Sequence, residues 1–156
     1  IGTGFYSRLM LDIRDDVRGF GFDVSEASKR FSLRHVDAFD YSERYSVKLE
    51  LIENAVVDCK ADWIISVEVL EHLADPLSFL KGLHSKLSDG GKAFITAALN
   101  APNADHIYLY RDPNEVFVQL QKAGFSIESY YFGSAYKRKD KEIPTPESAA
   151  FIVTKF

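Results

Sequence analysis

The chain has 156 residues, 46% of them hydrophobic and 27% charged, which describes one globular domain with enough apolar material to bury a core. A net charge of −4 argues against a polynucleotide partner, whose phosphates ask for a basic surface, and favours a small-molecule substrate. One cysteine, Cys59, excludes an internal disulfide framework and suits a cytoplasmic location, while no apolar run nears the ~20 residues that span a bilayer.

In chain order, Ile1-Gly2 reads as the last step of a strand entering a turn at Gly2-Thr3-Gly4. With no initiator Met ahead of it, the chain is expected to be N-terminally truncated, its first strand largely missing. A short helix is predicted over 9–17 and a strand over 18–24, with Asp23 at its end. Ser25 caps the next helix, over 28–39, with Phe31, Val36 and Phe39 as its apolar positions. Residues 47–52 alternate as in a half-buried strand, and 62–67 is the continuous apolar run of a parallel strand buried on both faces. Asp75-Pro76 opens a helix whose Leu77, Leu80, Leu83 and Leu87 share a face, and Ser88-Asp89-Gly90-Gly91 closes it. A strand over 92–99 follows. Asp112-Pro113-Asn114-Glu115 starts another helix, carrying Val116, Leu120 and Ala123 and stopping at Gly124. Two closing strands are predicted over 125–132 and 149–156, with Tyr130, Tyr131 and Phe132 in the core. The loop between them holds the one dense basic run, Lys137-Arg138-Lys139 with Lys141, diluted by Asp140 and Glu142, and reads as exposed. Alternating strands and helices imply a mainly parallel sheet covered on both faces, in a single domain over 1–156.

A glycine turn between strand and helix lets the backbone approach a ligand closely. Asp23 follows Gly4 by 19 residues (23 − 4), near the ~20-residue spacing at which dinucleotide folds place an acidic residue on ribose hydroxyls. Tyr6 and Ser7 stand where the third glycine of that fingerprint is expected, so a nucleoside without a pyrophosphate fits better than a nicotinamide cofactor.

The order Gly2-x-Gly4, Gly21-Phe22-Asp23-Val24-Ser25, the run from Ala61 to Leu73 with Glu68-Val69-Leu70-Glu71-His72-Leu73 at its end, and Leu87-Ser88-Asp89-Gly90-Gly91 resembles the class I S-adenosylmethionine-dependent methyltransferases. The resemblance covers nearly the whole chain, and the Glu68–Leu73 run followed by Asp75-Pro76 is its most distinctive part. It implies a Rossmann-like α/β fold: a mainly parallel seven-stranded sheet with an antiparallel C-terminal hairpin. It further implies that Gly2 and Gly4 line the methionine part of the cofactor, with Tyr6 or Ser7 nearby. Asp23 would hold the ribose hydroxyls and Val24 pack on adenine. Asn54-Ala55 would lie near the adenine amine, with Asn54 a departure from the family's usual acidic residue. Ser66, Val67 and Glu68 would border the reactive end.

Glu68, Glu71 and His72 stand at i, i+3 and i+4 and would share a face if the segment is helical. His106, in the loop after the next strand, could reach the same point, at the edge where open α/β sheets bind ligands. Carboxylates and imidazoles together suit a divalent cation such as Mg²⁺ or Mn²⁺. The same run resembles small-RNA 3′-terminal 2′-O-methyltransferases, in which four such side chains hold a metal, and ubiquinone-pathway O-methyltransferases. Without metal, His72 or His106 is the candidate general base. Tyr108, Tyr110 and Arg111 are either a substrate wall or a packed loop, and His35 and His84 read as surface residues. Three functions remain open: methyl transfer to an oxygen or nitrogen of a small metabolite, RNA 2′-O-methylation, and a non-catalytic cofactor-binding scaffold. The oligomeric state is not legible.

Overall fold

A computed structural model describes residues 1–134 and 145–155. The basic run 137–139 and its neighbours to 142 therefore lie outside the described residues. The chain forms two compact units, Ile1–Val56 and Val57–Phe156.

The first unit runs α1 (Phe5–Ile13), β1 (Gly19–Asp23), α2 (Glu26–Asp37), a 3₁₀ turn (Ser42–Arg44) and β2 (Tyr45–Leu49). β1 and β2 pair in parallel, Gly19 opposite Tyr45. α1 begins four residues before the position predicted, because Gly4, at φ 76°, turns the chain directly into the helix. At the other end Arg44 replaces a glycine cap. Its guanidinium donates to the carbonyls of Leu11, Arg14, Asp15 and Val17 at 2.9–3.3 Å, satisfying oxygens that a helix end leaves orphaned. Ser25 caps α2 as read from sequence, its Oγ accepting from the Ser28 amide. Of the three apolar positions predicted here, Val36 is buried, with Ser32 beside it, whereas Phe31 and, beyond the helix end, Phe39 are exposed. Leu11, Val36 and Tyr45 form the core, with Val17, Leu33, Tyr41 and Val47 packed against them.

The second unit runs β3 (Ala61–Ser66), a 3₁₀ turn (Leu70–His72), α3 (Pro76–Lys86), β4 (Leu87–Leu99), α4 (Pro113–Lys122), β5 (Ser126–Ser134) and β6 (Glu147–Thr154). Its sheet has the order β3-β4-β6-β5: β3 and β4 are parallel, and β6 is antiparallel to both of its neighbours. Six strands thus form among the described residues, against seven in the expected sheet, and the antiparallel closing hairpin is present. Both proline-led helix starts are real. Asp75 accepts from the Ser78 amide, and Asp112 with Glu115 makes a reciprocal capping box. The core is built from Ile95, Ala97 and Leu99 of β4, Phe151 and Val153 of β6, Leu80 and Leu83 of α3, and Val116 and Leu120 of α4. Each fully buried Leu, Ile or Phe contributes about 1.5–3 kcal/mol relative to exposure.

Two burial expectations fail at the sheet's edges. Trp63 on β3 is 48% exposed, and Tyr130 and Tyr131 on β5 are 61% and 70% exposed; among the described residues each of these strands pairs on one side only. Since β3 and β4 are parallel, their C-terminal ends share one edge, and the loops leaving them carry the residues of interest. No helix among the described residues is long and apolar enough to cross a membrane.

Candidate functional site

In the first unit the glycine turn is held by its surroundings. Gly4 has no room for a side chain, since an added Cβ would lie 2.7 Å from Ser32 Oγ. Gly2 differs: at φ 51° it needs glycine for its conformation, yet nothing lies within 4 Å of where a Cβ would stand. The backbone at Gly2 is therefore open to a ligand. Asp23 Oδ1 accepts from the Ser25 amide at 2.9 Å, and Oδ2 from the Gly2 amide at 3.4 Å and the Ile1 amino group at 3.1 Å. Burial alone would raise its pKa. The Ser25 and Gly2 amides pull the other way and favour the ionised, accepting form. Val24 beside it is 71% exposed. Ser7 and Ser32 both hydrogen-bond the Tyr45 hydroxyl, at 3.1 and 2.8 Å, locking α1 and α2 to β2 behind the turn. Tyr6 is exposed. Asn54 is exposed too, and Ala55 is buried. Glu53 is half-buried, and its Oε2 is buried with no partner among the described residues. Likewise His35, half-buried, donates from Nδ1 to the Thr3 carbonyl at 3.1 Å.

In the second unit the Glu68–His72 segment is not the helix assumed from its spacing. Glu68 is left-handed, at φ 50°, and only Leu70–His72 make a 3₁₀ turn. Glu68 consequently leaves the shared face. Its Oε1 accepts from Thr96 Oγ1 at 2.7 Å and Ser148 Oγ at 2.9 Å, and its amide donates to Thr96 Oγ1 at 3.0 Å. Glu71, His72 and His106 do converge, each offering a ligand atom within 4.8 Å of the others. The loop is fastened to the turn through one oxygen: the Glu71 carbonyl accepts from the Ile107 and Tyr108 amides at 2.8 and 2.9 Å.

Within this cluster Glu71 is 1% exposed, and its Oε2 has no partner among the described residues. Burial, with the nearby Glu68 charge, raises its pKa against the opposing pull of its backbone hydrogen bond, His72 and His106. His72 Nδ1 lies 2.9 Å from the Asp105 carbonyl. A carbonyl only accepts, so Nδ1 carries a proton, and in the neutral ring the lone pair is then on Nε2. The Asp105 carboxylate lies 3.6 Å from the same nitrogen, and the His72 and His106 rings meet edge-on at 4.8 Å. Ser66, at the end of β3, is buried with its hydroxyl unpartnered among the described residues, and Val67 is half-buried. Tyr110 is core rather than wall: fully buried, it donates to Gln119 at 2.8 Å, and burial raises its pKa. Tyr108 is half-buried and Arg111 exposed. His84 packs edge-on against Phe125, and Cys59 is exposed.

Sequence reasoning missed Thr96, Ser148 and the Asp105 carbonyl. Asp105 adjoins His106 and was open to inspection. Nothing local marks Ser148, which lies 80 residues from its partner.

The profile of the methyltransferase domain family matches residues 2–130, which takes in the glycine turn, Asp23 and the whole Glu71–His72–His106 cluster. The chain belongs to the class I S-adenosylmethionine-dependent methyltransferases. An O-methyltransferase of ubiquinone biosynthesis from Ruegeria pomeroyi is 33% identical over 82 residues, 40% of this chain and 33% of that protein. The match thus spans about a third of this relative's length. Among solved structures, the O-methyltransferase of a trans-AT PKS multienzyme from Brevibacillus brevis, in complex with S-adenosyl-L-homocysteine, superposes with TM-score 0.79 at 12% identity, over 99% of this chain and 64% of that one. The 4+2 cyclase SpnF superposes as well, at TM-score 0.79 and 13% identity, over 99% of this chain and 72% of that one. At such identities the likeness shows the Rossmann-like methyltransferase fold alone.

Proposed function

We propose that this methyltransferase moves the methyl group of S-adenosylmethionine onto a hydroxyl oxygen of a small metabolite, and that both units serve one domain. The family profile runs through both units, and the relative from Ruegeria pomeroyi is an O-methyltransferase. In this reading Gly2 and Gly4 give backbone to the methionine portion beside Tyr6, Asp23 takes the ribose hydroxyls, and Val24, Asn54 and Ala55 border adenine. Ser66, Val67 and Glu68 border the reactive end. One exposed cysteine and an acidic composition support a cytoplasmic enzyme of small molecules.

The observation that carries the mechanism is the Glu71 carboxylate, buried with an orphaned oxygen beside two imidazoles. A buried charged oxygen without a partner is costly, and a cation is the group that would satisfy it. Glu71, His72 and His106 therefore fit a divalent ion, and two nitrogens with one carboxylate suit Mn²⁺ better than Mg²⁺. When bound, such an ion would lower the pKa of an acceptor hydroxyl and fix its direction. Glu68 is not in this ligand set, because Thr96 and Ser148 hold it. The acceptor oxygen attacks the sulfonium methyl in line, the carbon–sulfur bond breaks with its electron pair going to sulfur, and the hydroxyl proton passes to solvent water. The Asp105 contacts favour a second way of removing that proton. His72, with Nδ1–H fixed on the Asp105 carbonyl, takes it at Nε2, and the resulting imidazolium lies beside the Asp105 carboxylate. Half-buried Tyr108 and exposed Ile107 beside the cluster favour an aromatic acceptor.

The test uses full-length protein, S-adenosylmethionine and a panel of small hydroxylated aromatics, with and without EDTA. EDTA or Glu71→Ala is expected to lower kcat by about 100-fold, with Mn²⁺ restoring only the wild type. A rate indifferent to both would remove the ion and leave His72 as base, to be checked by His72→Gln. Failure to bind S-adenosylmethionine would overturn the whole reading.

A further inference from the structure

We propose that Thr96 and Ser148 are positioning residues that, through Glu68, fix the turn presenting Glu71 and His72 to His106. The inference rests on the functional reading of that cluster. Its starting point is a conflict within the chain. A left-handed backbone costs a non-glycine residue roughly 1–2 kcal/mol, and such residues persist only where their surroundings over-determine them. Glycine would take φ 50° freely, yet the position holds Glu68. The compensation is a clamp of three hydrogen bonds. Thr96 uses one hydroxyl in both senses, donating to Glu68 Oε1 at 2.7 Å and accepting from the Glu68 amide at 3.0 Å. Ser148 donates to the same Oε1 at 2.9 Å.

The clamp is anchored in the rigid part of the unit. Thr96 is 5% exposed and stands in β4 between Ile95 and Ala97, both fully buried. Ser148 is in β6, paired opposite Ala98 of β4. A hydroxyl in that apolar strand needs a partner, and the partner is the residue that begins the functional turn. From Glu68 the chain passes through Val69 into Leu70–His72, where the His72 amide donates to the Val69 carbonyl at 3.1 Å. The far side of the turn is held separately, by the Ile107 and Tyr108 amides on the Glu71 carbonyl. Glu71 and His72 are thus gripped from the sheet on one side and from the His106 loop on the other. If the clamp slackens, the cluster loses one of its two fixed references.

A double-mutant cycle on metal-stripped full-length protein tests this, with Mn²⁺ binding read by calorimetry and folding by thermal melting. Thr96→Val keeps the shape and removes the hydroxyl. It is expected to weaken Mn²⁺ binding by about 10–100-fold, the usual effect of losing an outer partner of a metal site. Thr96→Ser should restore binding, and Ser148→Ala should fall between. In a Glu68→Gly background, where the turn needs no clamp, the Thr96→Val effect should vanish. Wild-type binding by Thr96→Val and Ser148→Ala, or an undiminished Thr96→Val effect with Gly at 68, would overturn the proposal. Should wild-type protein bind no Mn²⁺, the metal reading fails separately, and amide NMR decides the clamp. Ile107 and Tyr108 shifts that move in Thr96→Val support it, and unmoved shifts overturn it.

Discussion

Asp23 shows how one side chain can serve the fold and, in the proposed function, the ligand as well. Its Oδ1 accepts from the Ser25 amide at the start of α2, and its Oδ2 faces the Gly2 amide in the glycine turn. Spacing alone predicts an acidic residue here, and the amides explain why it is ionised. Asp23→Asn keeps the outline and removes the charge. Charged hydrogen bonds are each worth about 1.5–3 kcal/mol, so S-adenosylhomocysteine affinity should fall about 10–100-fold by calorimetry. The same substitution changes acid stability in a defined direction. The Ser25 and Gly2 amides lower the folded pKa of Asp23, so the stability they give is present above the unfolded value of ~3.9 and is lost as pH falls through the folded value. Melts between pH 2 and 6 should show a smaller acid loss in Asp23→Asn, and identical curves would contradict the assignment. Glu68 teaches the opposite lesson about legibility. Its sequence neighbours predict a helical face with Glu71 and His72, and hydroxyls 28 and 80 residues away turn it elsewhere.

Where an element's boundary is set by neighbours in sequence, it can be read. Asp75-Pro76 and Asp112-Pro113 begin α3 and α4 because a carboxylate satisfies orphaned amides within three residues, a purely local bargain. Asp112→Ala should cost about 1 kcal/mol, lowering Tm by about 2–4 °C in a chain of this size while leaving S-adenosylhomocysteine binding unchanged. A melt within a degree of wild type would mean the capping box is idle. Where burial depends on what lies across the sheet, composition misleads. The run Tyr130-Tyr131-Phe132 has the apolar content of a core strand, yet among the described residues β5 pairs only with β6. In α2 Phe31 faces out because Ser32 is needed inside. It lies against Gly4 and hydrogen-bonds Tyr45, and a larger residue there would push on the glycine turn. The first helix was displaced for a related reason. No Ser or Asp announces it, and left-handed Gly4 starts it without a side-chain cap.

For the molecule as a whole, the family profile fixes the fold, while the acceptor has to be argued from chemistry, since a 4+2 cyclase superposes as well as an O-methyltransferase does. Net charge discriminates between the two classes of acceptor. A polynucleotide bound through six to ten phosphates loses about 10³–10⁵ in affinity between 50 and 200 mM salt, since each contact releases counterions. A chain of net charge −4 has 19 basic residues against 23 acidic ones and is poorly placed to supply such contacts. For a small hydroxylated aromatic, kcat/KM should therefore change by less than about threefold over that salt range, since the interactions at stake are short-range and partly buried. The measurement is a salt series on the best acceptor from the panel, run beside a short RNA with a free 3′ end. Methylation of the RNA with a steep salt slope would reverse the assignment. It would also move attention to the basic segment 137–141, whose charges the small-molecule reading leaves without a task.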